Sequence, residues 1–145
     1  MDSFGIVVCE QVRIESLQDI SRFSYVNAFS SIDKRRLAED DRFEFAVTCM
    51  SDMNFPETAE LLIRILRVGD AEEREVGQHR AKLIGNDRYI LATGSISQSL
   101  FMHSGLYRIQ LYYRRNPRDK WPPSPNASWM FQVTDQSNPV TSDAA

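Results

Sequence analysis

The ten residues from Gly105 to Arg114, G-L-Y-R-I-Q-L-Y-Y-R, limit what this chain can fold into more than any other stretch. Successive strand residues face opposite ways, so Leu106, Arg108, Gln110 and Tyr112 share one side and Tyr107, Ile109, Leu111 and Tyr113 the other. Strict alternation of this kind describes a strand with one face against a core. The entry to the strand adds a second constraint. Ser104 and Gly105 precede Tyr107 in an S-G-x-Y pattern, which matches the tyrosine corner of Greek-key sandwiches. Gly105 permits the sharp turn, and Tyr107 is expected to tuck its ring into the core and return its hydroxyl to a backbone group across the corner.

Seven further segments carry extended patterns. They are Gly5 to Ile14, Arg22 to Ile32, Arg42 to Met50, Thr58 to Val68, Arg74 to Ile84, Arg88 to Leu100 and Ala127 to Thr134. Phe43, Phe45, Val47 and Cys49 form a clean period-two set, as do Trp129, Phe131 and Val133. In Arg88 to Leu100 the inward set is read as Tyr89, Leu91, Ser97 and Leu100, with Gly94 marking a bulge or close approach. In Arg74 to Ile84 it is read as Val76, His79, Ala81 and Leu83. Thr58 to Val68 is apolar almost throughout and is assigned to a strand because G-D follows it and a second extended run begins at once. The only helical candidate, Ile32 to Asp41, reads equally well as a charged loop.

Roughly eight strands separated by turn residues predict an all-β, antiparallel sandwich with Greek-key character and little or no helix. One domain over residues 1–134 is expected, followed by a small, polar, disordered tail over 135–145. A length of 145 residues suits one such core.

The segments V-V-C-E-Q-V-R-I-E, A-E-L-L-I-R-I-L-R-V-G-D, G-L-Y-R-I-Q-L-Y-Y and W-M-F-Q-V together resemble a family of small bacterial all-β sandwich domains of unknown function. The resemblance covers most of the chain and departs at E-S-L-Q-D-I-S, where a tight Gly-containing turn is expected. It implies a compact sandwich and brings no activity, cofactor or site residue.

Several function classes are disfavoured. A net charge of −3 argues against general nucleic-acid binding, which needs a basic face. No segment approaches the roughly 18 apolar residues of a membrane span, and M-D-S-F-G-I-V-V-C-E lacks the basic and hydrophobic regions of a signal peptide, so a cytoplasmic location is expected. Cys9 and Cys49 lie in apolar runs and read as buried core thiols. None of H-E-x-x-H, C-x-x-C, G-x-S-x-G or a Gly-rich phosphate loop occurs. With only His79 and His103, and no nucleophile or orienting acid beside either, no catalytic residue, metal site or cofactor is assigned. Asn126-Ala127-Ser128 reads as an Asn turn rather than a glycosylation acceptor.

If every strand crosses the domain, successive loops alternate between its two ends. One end then collects Asp33, Glu39, Asp40, Asp41, Asp70, Glu72 and Glu73 among neighbouring cations, a solvated charged rim rather than a calcium site. The other end collects the long loop R-R-N-P-R-D-K-W-P-P-S-P. Loops of this length often bind something, and prolines stiffen this one. Arg114, Arg115, Arg118, Lys120 and Trp121 are the candidate binding residues, since Arg beside Trp is typical of interface anchors. The bland alternative has Trp121 capping the open end of the core.

The leading expectation is a non-catalytic interaction module that recognises a protein or anionic partner through this loop. A second is a homo-oligomeric structural subunit, with Tyr112, Tyr113 and Trp129 supplying the interface. A small-ligand site or enzyme using Tyr107, His79 or His103 is the third.

Overall fold

A computed structural model describes residues 2–17, 20–34, 42–82, 88–101 and 103–135. Nine strands make two sheets. They are β1 (Asp2–Leu17), β2 (Ile20–Ala28), β3 (Ser31–Asp33), β4 (Arg42–Ser51), β5 (Glu60–Val68), β6 (Glu73–Lys82), β7 (Tyr89–Ser97), β8 (Gly105–Arg114) and β9 (Ala127–Thr134). One sheet runs β2-β1-β4-β7 and the other β3-β9-β8-β5-β6. The chain is an all-β sandwich. Consecutive strands pair as hairpins in β1–β2, β5–β6 and β8–β9, whereas β2–β3, β3–β4, β4–β5, β6–β7 and β7–β8 pass from one sheet to the other.

The strand missing from the sequence reading is β3. It has only three residues and pairs in parallel with β9, Ser31 opposite Gln132, so no local pattern announces it. Residues 35–41 of the helical candidate and residues 136–145 of the expected tail lie outside the described residues.

The core is aromatic. Phe131 is 1% exposed and lies among Phe29, Phe43, Phe101 and Tyr107 at ring distances of 5.3 to 5.9 Å. On β8 the inward set is Tyr107, Ile109, Leu111 and Tyr113, all buried, as the alternation predicts. On β5 the same rule sends Leu61, Ile63 and Ile65 inward. Leu62 and Leu66 on its outer side are also only 5% exposed, which explains why that segment shows no alternation.

On β7 the inward face is Ile90, Ala92, Gly94 and Ile96, opposite Cys49, Val47, Phe45 and Phe43. For Tyr89, Leu91 and Ser97 this reverses the sequence reading, Tyr89 facing out at 40% exposed, whereas Leu100, in the turn that follows, does pack against the core. The reason lies at Gly94, where a Cβ would come within 2.5 Å of the Phe45 ring. The large ring of β4 needs the small face of β7. On β6 the register shifts between Ile65 and Leu66 and leaves Val76 as an extra residue, a bulge of the kind that blunts an edge strand. His79 and Ala81 do fall opposite Ile63 and Leu61, while Leu83 lies outside the described residues.

Between β7 and β8 the chain crosses through a 3-10 turn, Gln98–Phe101, whose Phe101 is 1% exposed and plugs that end of the core. Gly105 then adopts φ +142°, a region that favours glycine. The Tyr107 hydroxyl donates to the His103 carbonyl at 2.6 Å, completing the tyrosine corner. Burial pushes the Tyr107 phenol up, and the nearby Arg67 charge partly opposes this. Tyr107→Phe is expected to cost about 1–3 kcal/mol, because the His103 carbonyl loses its donor. A thermal melt within error of the parent would contradict that role.

Both cysteines are free and buried. Burial first, and the Asp2 charge second, push the Cys49 thiol up to about 12. The proton is therefore held more tightly in the fold than in the unfolded chain. The resulting stability is present below the ordinary value of 9.0 and is lost as pH rises towards about 12. At pH 8 a thiol reagent is expected to modify Cys49 only after denaturant is added; rapid labelling of the native chain would refute its burial.

Candidate functional site

The long loop does not stand free at the end of the sandwich. It folds back over the outer side of the five-stranded sheet. The outer rows there read Arg80–Leu62–Tyr112 and Gln78–Arg64–Gln110 across β6, β5 and β8. One row further along, Glu60 pairs with Arg114. Trp121 spans these rows, with the Arg114 guanidinium 4.1 Å and the Arg80 guanidinium 5.8 Å from its ring centre. Trp121 therefore covers the outer side of the sheet over Leu62, and does not close the open end of the core.

Four attachments fix the loop. The Arg114 Nε and Nη2 atoms reach Glu60 Oε1 at 2.8 and 2.6 Å, with the two side chains 12% and 14% exposed. Arg114 Nη1 also donates to the Asp119 carbonyl at 3.2 Å. The Thr58 hydroxyl, from the neighbouring loop, lies 2.7 Å from both the Arg115 carbonyl and Asn116 Oδ1. At the far end Asn126 Oδ1 accepts from the Tyr113 amide at 2.8 Å, and the Asn126 amide donates to the Leu111 carbonyl at 2.7 Å. Asn126 is thus the Asn turn that closes the loop onto β8.

The five candidate residues divide accordingly. Arg114 ends β8 and is consumed by Glu60, Asp119 and Trp121, so it positions the loop. Trp121 is half-buried on the sheet. Arg115, Arg118 and Lys120 are exposed, and none of their side chains pairs with an acid among the described residues. Sequence reasoning missed the contribution of the sheet: Arg80, Arg64, Glu75, Gln78 and Tyr112 lie under or beside the loop. The signal available for them was the outer alternation of β5, β6 and β8, which has no meaning until the loop is known to lie across it.

Between the loop and the sheet is a groove of about 320 Å³. Leu62 and Tyr112 form its floor, Trp121, Pro122 and Pro123 one wall, and Arg64, Glu75 and Gln78 the rim. Arg64 Nε donates to Glu75 Oε1 at 2.7 Å and its guanidinium stands 5.9 Å from the Tyr112 ring centre. The bond from Glu75 raises the Arg64 guanidinium above its ordinary value. The Tyr112 hydroxyl donates to Gln110 Oε1 at 3.0 Å, so this polar atom is already satisfied. A second concavity of about 160 Å³ beside Asp2, Asp52 and Arg115 adjoins the loop, and a shallow one of about 600 Å³ lies at the β5–β6 hairpin around Arg67 and Arg74.

The remaining candidates do not converge. Tyr107 is 1% exposed and bonded to the His103 carbonyl. His79 lies against Phe45 at a ring distance of 6.5 Å, and His103 is exposed at the corner. None of the three lines the concavities above. Among the described residues no three His, Cys, Asp or Glu side chains come together to hold a metal ion. No helix among those residues is long and apolar enough to cross a membrane. Tyr112, Tyr113 and Trp129 do not make a shared exposed face: Tyr113 points into the core, Tyr112 is 6% exposed on the opposite side of β8, and the Trp129 indole donates to the Phe29 carbonyl at 3.0 Å.

No protein-family model matches the sequence, and no curated protein matches it. Solved structures that overlap with it include a β-glucosidase from Listeria innocua in complex with isofagomine, 11% identical, with a TM-score of 0.40 over 91% of this chain and 16% of that one. A GH3 β-glucosidase from Bifidobacterium adolescentis is 12% identical, with a TM-score of 0.38 over 99% of this chain and 19% of that one. The chain spans less than a fifth of either structure. Likeness of this grade carries no argument about what the chain does.

Proposed function

We propose that the chain is a non-catalytic, cytoplasmic interaction module that binds an anionic partner, a protein above all, through the loop between β8 and β9. The observation that carries this reading is the combination of fixation and free charge. The loop is pinned at Thr58, Glu60, Leu111 and Tyr113, yet it presents Arg115, Arg118 and Lys120 to solvent with no acid paired to them among the described residues. A fixed loop loses little conformational entropy on binding. Uncompensated surface cations steer an anionic partner and set the salt dependence of its association.

The test is capture from a lysate on immobilised protein, comparing the parent with an Arg115→Glu/Arg118→Glu/Lys120→Glu variant. These three side chains are exposed, so the variant is expected to melt within about 1 kcal/mol of the parent. Partners retained by the parent should be absent from the variant. Recovery of the same set by both would contradict the reading.

A second reading is self-association, favoured by exposed apolar side chains on the four-stranded sheet and just after β4. Met50 and Tyr89, paired across β4 and β7, are 54% and 40% exposed, and Met53 close by is 70% exposed. Sedimentation velocity distinguishes the two, since this reading requires a stable oligomer that Met50→Lys with Met53→Lys converts to a monomer.

A further inference from the structure

We infer that the groove between Trp121 and the outer side of the five-stranded sheet takes an acidic peptide segment bearing one bulky apolar side chain. This rests on the loop reading above and narrows it to a place and a partner chemistry.

The charge of this face decides the sign of the partner. Its acids are already engaged: Glu60 with Arg114, Glu75 with Arg64 and Glu73 with Arg108. Arg80, Arg118 and Lys120 have no acidic partner among the described residues, and Asp119 is the only loop acid beside them. Three cations against one acid leave a local excess of two positive charges, in a chain whose net charge is −3. The groove's own lining carries one balanced pair, Arg64 with Glu75, while the loop and Arg80 beside it are opposite in sign to the chain as a whole and draw a negatively charged segment towards them.

The shape decides the class. At about 320 Å³ the groove lies at the bottom of the size range for ligand sites, room for one large side chain with its adjoining backbone. Its floor is apolar: Leu62 is 5% exposed, and the hydroxyl of Tyr112 is occupied by Gln110. An apolar anchor in such a floor leaves no polar group unpaired. The groove runs beside β6, which among the described residues pairs with β5 alone, so away from the bulge at Val76 its other edge offers main-chain groups to an extended peptide. Two excess charges are few for a phosphate chain, which gains affinity roughly in proportion to the number of phosphates neutralised.

The walls are preorganised. Arg64 is held by Glu75, and Trp121 by Arg114 and Arg80. Arg80 thus stands at the junction of the aromatic wall and the free charge, and we assign it the contact with the acidic flank of the peptide.

The probe is a fluorescein-labelled heptapeptide of three Glu, one Phe and three Glu, titrated against the full chain by fluorescence anisotropy at low salt. Replacing its Phe by Ser, or its Glu by Gln, is expected to weaken binding at least about tenfold in each case. Arg80→Gln with Lys120→Gln in the protein should do the same. Raising the salt from low to about 0.5 M should weaken the parent complex strongly, a readout that needs no variant. Equal affinity for the Phe and Ser peptides, equal affinity of parent and variant, or no binding of the heptapeptide at 1 mM would overturn the proposal. So would a single-stranded oligonucleotide of matching charge that binds as tightly as the peptide. If lysate capture depends on Arg115, Arg118 and Lys120 while the heptapeptide fails, the loop reading stands and the peptide assignment falls.

Discussion

Phe131→Ala is expected to lower the unfolding free energy by about 3–5 kcal/mol, the largest effect of any single truncation in this chain. Phe131 comes from β9, yet its ring meets Phe29 from the β2–β3 crossing, Phe43 from β4, Phe101 from the 3-10 turn and Tyr107 from the corner. Removing it leaves a void bordered by rings from both sheets, and rings fixed from four directions cannot collapse into it. Edge-to-face and stacked geometry adds to the loss, at about 0.5–1.5 kcal/mol per pair beyond area. Urea denaturation followed by circular dichroism measures the change. Met130→Ala, one residue away but 43% exposed, is the control and should change stability by less than about 0.5 kcal/mol. A loss below about 1 kcal/mol for Phe131→Ala would mean that the rings repack, and that the two sheets do not depend on one another as described.

Glu60→Gln is expected to cost about 3 kcal/mol, near the lower bound for breaking a buried ion pair because the pair keeps some contact with water. Two arginine nitrogens converge on Glu60 Oε1, and the guanidinium lies 4.1 Å from the Trp121 ring centre. Without the carboxylate charge, Arg114 is a cation under an indole with only neutral acceptors, the new amide oxygen and the Asp119 carbonyl, to satisfy it. The loop should then loosen, and Trp121 should leave Leu62. Global stability and Trp121 quenching by iodide would both change. Replacing both partners together, Glu60→Leu with Arg114→Met, should recover most of the stability, since the uncompensated charge is gone. A Glu60→Gln chain with parent stability and parent quenching would show that the pair does not hold the loop.

The parts of the fold that could be read from the sequence are those fixed by local stereochemistry. Gly105 and Tyr107 are two residues apart, and the corner they form needs only its own neighbours. The alternation of β8 and β4 likewise needs only the pleat and a core on one side. What failed depends on distant partners. On β7, Tyr89 outranks Ile90 in size and Leu91 outranks Ala92 and Gly94, so size points to the wrong face. The face is set by the Phe45 ring lying on Gly94, from a strand about fifty residues earlier in the chain. β3 is invisible because three residues carry no period and their partner, β9, lies some hundred residues on.

The site shows the same division. The composition of the loop marks it as worth attention, and Arg115, Arg118 and Lys120 are exposed as a polar loop should be. Its position is decided by Glu60, Arg80 and Thr58, none of which adjoins it in sequence. Arg114, chosen as a binding residue for its charge, turns out to be a fastener for the same reason: the nearest acid is buried beside it. Trp121 covers a leucine on the outside of a sheet, where alternation would have predicted a polar residue.

The measurement closest to the central claim is site-directed photo-crosslinking in a lysate, with a photoreactive amino acid placed at Asp119, which leaves the loop cations in place, or, at the opposite end of the sandwich, at Glu72. Both positions are exposed, so neither replacement disturbs the core. If the chain binds its partner through the β8–β9 loop, position 119 gives a discrete higher-mass adduct and position 72 gives none. Adducts from position 72 alone, or the same adducts from both, would place the contact elsewhere and contradict the account.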